Sequence, residues 1–182
     1  MANLKPFIGL KRVWHAEVIK TVSAPGTGYS VTELKALVEA ATEITNVHQD
    51  TWSYEESDAT ITDYINELTG QPYYRDVTQA GIPTINFTIG EYDFETKAAL
   101  QGGKKQTDSW ERVDMTNIVE KCIVAMTKTG NFIVFPRAQI TGKGAMAEKN
   151  IGIGVAAVPL ETGVKGLASE IWFDGTKVNL SE

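Results

Sequence analysis

Ile118-Val119-Glu120-Lys121-Cys122-Ile123-Val124-Ala125-Met126-Thr127, then Lys128-Thr129-Gly130-Asn131, then Phe132-Ile133-Val134-Phe135, is the stretch that decides the fold. At strand spacing the first run places Cys122, Val124 and Met126 on one face and Val119, Ile123 and Ala125 on the other. Thr129-Gly130 turns it into the second run. An antiparallel strand normally shows one face to water. A strand that is apolar on both faces therefore needs a second cover, which is either a helix of the same chain or a neighbouring copy. Two short helices can cover only part of such a surface, and exposed sheet edges also favour association.

Toward the C-terminus the pattern stays β. Ala138 to Thr141 reads as a strand, and Gly142-Lys143-Gly144 reads as a turn. Ile151, Ile153, Val155 and Ala157 form one face of a long strand whose other face is Gly152, Gly154 and Ala156. Glycines inside a strand mark close approach of another backbone or helix, so Gly152, Gly154 and Ala156 make a candidate close-packing strand. Ile171 to Phe173 follows, and Asp174-Gly175 is a hairpin signal leading to the last residues.

Toward the N-terminus, Ile85, Phe87 and Ile89 alternate with Thr84, Asn86 and Thr88, the pattern of a half-buried strand. Glu91 to Gln101 reads as a helix stopped by Gly102-Gly103. Ser30 and Glu33 form a capping box, and the apolar spacing of Val31, Leu34, Leu37, Val38 and Ala41 predicts a helix over 31–41. Val18, Lys20 and Val22 alternate with Glu17, Ile19 and Thr21, which predicts a strand broken at Ala24-Pro25-Gly26-Thr27-Gly28. Ile44 to His48 reads as another strand. From Asp50 to Arg75 the chain makes a long excursion, with strand-like Thr60 to Asn66 and a turn at Thr69-Gly70-Gln71-Pro72. The expected fold is mainly β: one domain over 1–182, a two-sheet antiparallel β-sandwich or partial barrel with two short helices and a hairpin-like loop at 50–75.

The 182 residues carry 17 Lys and Arg against 23 Asp and Glu, a net charge of −6. Between Lys35 and Arg75 stand eight acids and no Lys or Arg: Glu39, Glu43, Asp50, Glu55, Glu56, Asp58, Asp63 and Glu67. The other 17 basic and 15 acidic residues balance to +2. Such a block argues against a nucleic-acid grip, which needs clustered cations. No apolar run is long enough to span a bilayer, no secretory signal is visible at the N-terminus, and the single Cys122 forms no internal disulfide.

Catalytic and ligand readings are weak. His15 and His48 lie in or beside expected strands without a cluster of further ligands. Cys122 sits in an apolar strand, where a thiol is inert. Gly152-Ile153-Gly154-Val155-Ala156-Ala157 loosely matches a dinucleotide fingerprint with Asp174 downstream, but it lies within a strand and Pro159 blocks the helix that should follow. Gly142-Lys143-Gly144 lacks the remaining residues of a phosphate loop. Glu55, Glu56 and Asp58 are close in sequence without a calcium-loop pattern, so weak cation binding competes with a solvated or intersubunit face. No catalytic, cofactor or metal site is expected.

Three segments carry a family resemblance. They are Thr88-Ile89-Gly90-Glu91-Tyr92-Asp93-Phe94-Glu95-Thr96-Lys97-Ala98-Ala99-Leu100 ending in Gly102-Gly103, then Phe135-Pro136-Arg137-Ala138-Gln139-Ile140-Thr141-Gly142-Lys143, then Gly152 to Glu161. In order and spacing they resemble the tailed-bacteriophage major tail tube proteins over Ile44 to Phe173. The resemblance implies a two-sheet sandwich with a flanking helix, assembled into six-membered rings that stack into a hollow tube. DNA leaves the capsid through that tube without specific binding. Asp50 to Arg75 would then be the inter-ring arm, with Asp50, Glu55, Glu56, Asp58, Asp63 and Glu67 facing either the next ring or the lumen. Ring neighbours would cover the doubly apolar strands. The implied partners are copies of itself, a baseplate or initiator, a terminator and a tape measure, in a virion tail assembled in the host cytoplasm. Two alternatives stand beside it: a type VI secretion or contractile-injection tube protein, and a monomeric carbohydrate-binding sandwich using Trp14, Trp52, Trp110 and Trp172 as an aromatic platform.

Overall fold

The computed structural model describes residues 4–24, 26–113 and 118–178. In chain order the elements are β1 (Arg12–Ala16), α1 (Val31–Ala40), β2 (Thr42–Ile44), β3 (Ser53–Glu56), β4 (Thr60–Asn66), β5 (Gln71–Gln79), β6 (Pro83–Ile89), α2 (Phe94–Gln101), β7 (Lys104–Lys105), β8 (Trp110–Glu111), β9 (Val119–Met126), β10 (Phe132–Ala147), β11 (Asn150–Pro159) and β12 (Ile171–Phe173). Among the described residues the fold is mainly β and antiparallel, with two helices and no closed barrel. The main sheet runs β2-β1-β9-β10-β11-β6-β3, and β12 pairs with the start of β10.

One strand makes this sheet into two layers. β10 pairs with β9 and β12 through Phe132–Val134, then with β11 from Ala138 onward. Between Phe135 and Ala138 the register slips by one residue, a bulge occupied by Pro136 and Arg137. Arg137 is fixed there by two 2.9 Å hydrogen bonds to Glu120. The layers meet again at β3 and β12, where the Tyr54 hydroxyl donates to Glu170 at 2.8 Å and the Tyr54 and Trp172 rings lie edge to face at 5.4 Å.

The main core lies inside this curl. Ile85, Phe87 and Ile89 of β6 meet Val13, Ile123, Phe135, Ile140 and Val155, with Leu100 of α2 fully buried among them. A second core lies on the outside of β1, β9 and early β10, where Trp14, Cys122, Val124 and Phe132 pack under Leu34 and Val38 of α1. Its helix starts at the capping box: the Ser30 hydroxyl accepts from the Glu33 N–H and the Glu33 carboxylate accepts from the Ser30 N–H.

Several expectations change. Both faces of β9 are covered within the chain, by the curl and by α1, so no neighbouring copy is needed there. The first strand is Arg12–Ala16, not 17–22. β1 lies between β2 and β9 with Val13, Trp14 and His15 all buried, so it shows no alternation, while the alternating 17–22 segment forms no strand. Gly142-Lys143-Gly144 is not a turn but the middle of β10. A Cβ on Gly142 would stand 2.3 Å from the Leu100 carbonyl oxygen, so the glycine lets α2 lie directly on the strand. The turn comes later, where Glu148 takes a left-handed φ of 53°. The expected 44–48 strand shrinks to Thr42–Ile44 plus one bridge from Val47 to Ile89, and the second helix begins at Phe94 behind an Asp93 cap. The residues that would follow the Asp174-Gly175 turn, from 179 on, lie outside the described residues, as does Pro25.

Candidate assembly surface

The excursion after Asp50 is a β-hairpin, with boundaries shifted from 50–75. Ser53–Glu56 belongs to the main sheet as its edge strand β3, paired with β6 from Ser53↔Asn86 to Glu56↔Pro83. The Ser57 N–H then bonds the Ile82 carbonyl at 3.1 Å, and the same register holds to Thr60↔Gln79, where β4 and β5 begin; it slips by one residue after Thr60 and again after Tyr64. The result is one ribbon rooted in the sheet, whose free part, residues 57–82, reaches roughly 30 Å at the usual rise per residue. Asn66 ties the tip: its carbonyl accepts from Gly70 at 2.7 Å and its side chain from Leu68 at 2.9 Å.

No strand of the body among the described residues pairs with this arm. Its strands pair only with each other. Ile61 and Val77 face each other across the ribbon, as do Tyr64 and Tyr74, whose rings lie 5.6 Å apart. Ile61, Tyr64, Ile65, Leu68, Tyr73, Tyr74, Val77 and Ile82 are all exposed, and Leu68 at the tip is 94% exposed. An isolated two-stranded hairpin is at best marginally stable in water, and apolar residues on an unsupported ribbon are the mark of a contact surface.

The six acids singled out in the sequence are spread along this ribbon rather than gathered. Asp50 precedes it in a left-handed turn with φ 60°. Glu55 and Glu56 lie on β3, Asp58 in the gap before β4, Asp63 within β4, and Glu67 at the tip. Asp63 is bridged by Arg75 with hydrogen bonds of 2.6 and 2.9 Å, which hold its carboxyl below the usual range. No three His, Cys, Asp or Glu residues among the described ones form a metal cluster. From Ser53 to Asn86 there are six acids and only Arg75, which is −5 of the total −6. The negative charge of the chain is therefore concentrated on the arm and its root.

Beside the root lies a groove of about 470 Å³, between the β1–β2 edge and the 45–52 segment that crosses to β3. Its floor includes Ile44, Val47 and Trp52, and Lys11, Arg12 and Lys128 stand along it. Arg12 is held by Glu43 through a 2.7 Å hydrogen bond from Nε. Lys11 and Lys128 have no carboxylate partner among the described residues. They are neighbours because Arg12 pairs with Met126. Sequence reading missed this groove, since its basic residues are far apart along the chain.

The other singled-out residues fall into separate places. A Cβ on Gly152 would lie 2.4 Å from the Ile89 carbonyl oxygen, so backbone passes close to it. The neighbour is β6 of the same chain. A Cβ on Gly154 would meet the Ala145 methyl at 3.1 Å and Lys143 at ordinary contact distance, and Ala156 is half-buried on an open face with Thr88, Asn86 and Thr141. The four tryptophans form no common platform. Trp14 is buried under α1, and Trp52 packs near Phe87. Trp110 donates to the Gly102 carbonyl beneath Lys97, and Trp172 packs at a tilt against Phe7. Burial pushes the Cys122 thiol up to about 12, which suits packing and not nucleophilic attack. His15 is buried in β1 with its Nε2 unpartnered, and its pKa is lowered by desolvation and then by Lys121. His48 lies at the groove. No helix among the described residues is long and apolar enough to cross a membrane.

Compared with protein-family models and with curated proteins, the sequence finds no match in either.

Proposed function

We propose that this chain is a structural subunit that assembles with copies of itself into stacked rings, in the manner of a phage tail tube through which DNA passes. The observation that carries the proposal is the arm: a ribbon with eight exposed large apolar side chains and, among the described residues, no strand of its own body paired with it beyond the root. Full burial of one such side chain contributes roughly 1.5–3 kcal/mol. Docking the arm on a neighbour therefore supplies the stabilisation that the monomer lacks. A contact between two different surfaces of one chain does not saturate itself: it closes a ring where the rotation permits and otherwise propagates.

The open face of β6, β11 and late β10 fits the conduit part of the proposal. It presents Asn86, Thr88, Thr141, Gly154 and Ala156, with Lys143 as its one cation. A wall of small neutral groups does not grip phosphate, because each cation removed from it removes one counterion-release contact. Under this reading the acids do not line the lumen as a repelling wall. They belong to the arm and so to the contact between subunits.

The test is negative-stain electron microscopy with light scattering on two proteins: the full chain, and a variant in which residues 58–81 are replaced by Asn-Gly. The full chain should give rings or tubes with a central hole. The shortened chain should melt within a few degrees of the full one and fail to stack. A full chain that stays monomeric at its highest soluble concentration overturns the proposal, and so does an armless chain that still forms tubes.

A further inference from the structure

We infer that the groove floored by Ile44, Val47 and Trp52 and edged by Lys11 and Lys128 is the receptor for the arm of a second copy of this chain. This rests on the self-assembly reading and names the surface at the other end of the contact.

The two surfaces are complementary in charge. The free part of the arm, 57–82, holds Asp58, Asp63, Glu67 and Asp76 against Arg75. Asp63 is already occupied by Arg75, which leaves three carboxylates without an ion-pair partner among the described residues. The groove offers the converse by a small margin: two lysine ammoniums without carboxylate partners among the described residues, against the one carboxylate of Asp50 in the lining, beside a guanidinium that Glu43 already holds. They are complementary in chemistry too. The arm tip presents Leu68, almost wholly exposed, next to Glu67, and the groove presents an apolar floor beneath its lysines. A leucine knob with an adjacent carboxylate is matched by an apolar pocket with an adjacent ammonium. Such central apolar anchors ringed by charge pairs carry most of the energy of protein contacts.

The occupant is another copy because the chain's own arm leaves the sheet at Ser57 and Ile82 and pairs only with itself. Arm and groove are distinct surfaces, so each subunit gives one and receives one.

The experiment is a charge swap read by light-scattering mass across a concentration series at low salt, with the Tm of each variant reporting that it folds. Lys11→Glu with Lys128→Glu, and separately Glu67→Lys with Asp76→Lys, should each weaken association at least tenfold. The chain carrying all four changes should regain association to within a few-fold of the parent. Leu68→Ser should weaken association without altering its salt dependence. If the groove reversal leaves association unchanged, or the four-fold variant is no better than either pair, the groove is not the receptor although self-assembly stands. A parent chain that does not associate overturns both.

Discussion

Replacing Gly142 by alanine tests how closely α2 is seated on β10. The new Cβ would lie 2.3 Å from the Leu100 carbonyl oxygen and 2.7 Å from the Gln101 Cα, whereas real Cβ contacts stay above 3.0 Å. The obstruction is backbone, so no side chain can swing aside, and the helix end must retreat by at least 0.7 Å, the difference between 3.0 and 2.3. A gap of about 0.5–1 Å forfeits a quarter to a half of a dispersion contact. Leu100, fully buried in the main core, moves with the helix. Overpacking of this kind costs about 2 kcal/mol, which for a chain of this length lowers the Tm by roughly 4–8 °C. Gly144, two residues on, is exposed with nothing within 4 Å of its would-be Cβ. Gly144→Ala should therefore raise the Tm slightly, since alanine restricts the unfolded chain and costs the folded one nothing. Calorimetry of both variants, at a concentration where the chain is monomeric, is the assay. A Gly142→Ala melting point within about 1 °C of the parent, or equal losses for both variants, would refute the seating of the helix on the strand.

Further outcomes follow from the buried titratable groups. His15 is held neutral by desolvation, with Lys121 adding to the effect and Glu17 and Asp93 opposing it. The unfolded chain binds a proton near pH 6.5 that the folded chain resists. Stability should thus be full above pH 6.5 and fall as pH drops toward the lowered folded value, and His15→Gln should flatten that part of a Tm-against-pH curve; an unchanged slope would count against it. Cys122 should ignore a thiol reagent at pH 8 in the native chain and react fully in denaturant. Rapid native labelling would contradict the packing under α1.

Local chemistry was legible in the sequence, and pairing across the chain was not. The alternation in β6 and the capping box at Ser30 and Glu33 are consequences of a few adjacent residues, and both stand where the pattern puts them. The apolar faces of β9 also stand, but their cover comes from α1 and the curl of the sheet, which no local pattern encodes. β1 was missed because a strand flanked on both sides buries Val13, Trp14 and His15 together and erases the two-residue period. The length of β10 was hidden by Gly142 and Gly144, which signal a turn unless one knows that a helix lies on the first of them. The arm could be recognised from the Thr69-Gly70-Gln71-Pro72 turn signal, although the chain turns two residues earlier, at 67–70, and Gln71 and Pro72 already open β5; its root could not, because Ser53 pairs with Asn86 across the whole ribbon. The groove had no signal in the sequence: Lys11 and Lys128 meet only through the β1–β9 ladder.

That ladder also sets a clock. Val13 pairs with Ala125, so the first strand waits for more than a hundred further residues before its partner exists. At about 5–20 residues per second of synthesis, Trp14 spends roughly five to twenty seconds on the ribosome with only α1 to cover it, before Cys122, Val124 and Phe132 arrive to complete its packing. The arm and the β3–β6 pair close over short loops in the meantime, since nearby contacts form first. The aggregation-prone interval of this protein is therefore its own translation, and a slow stretch of codons before β9 would lengthen it.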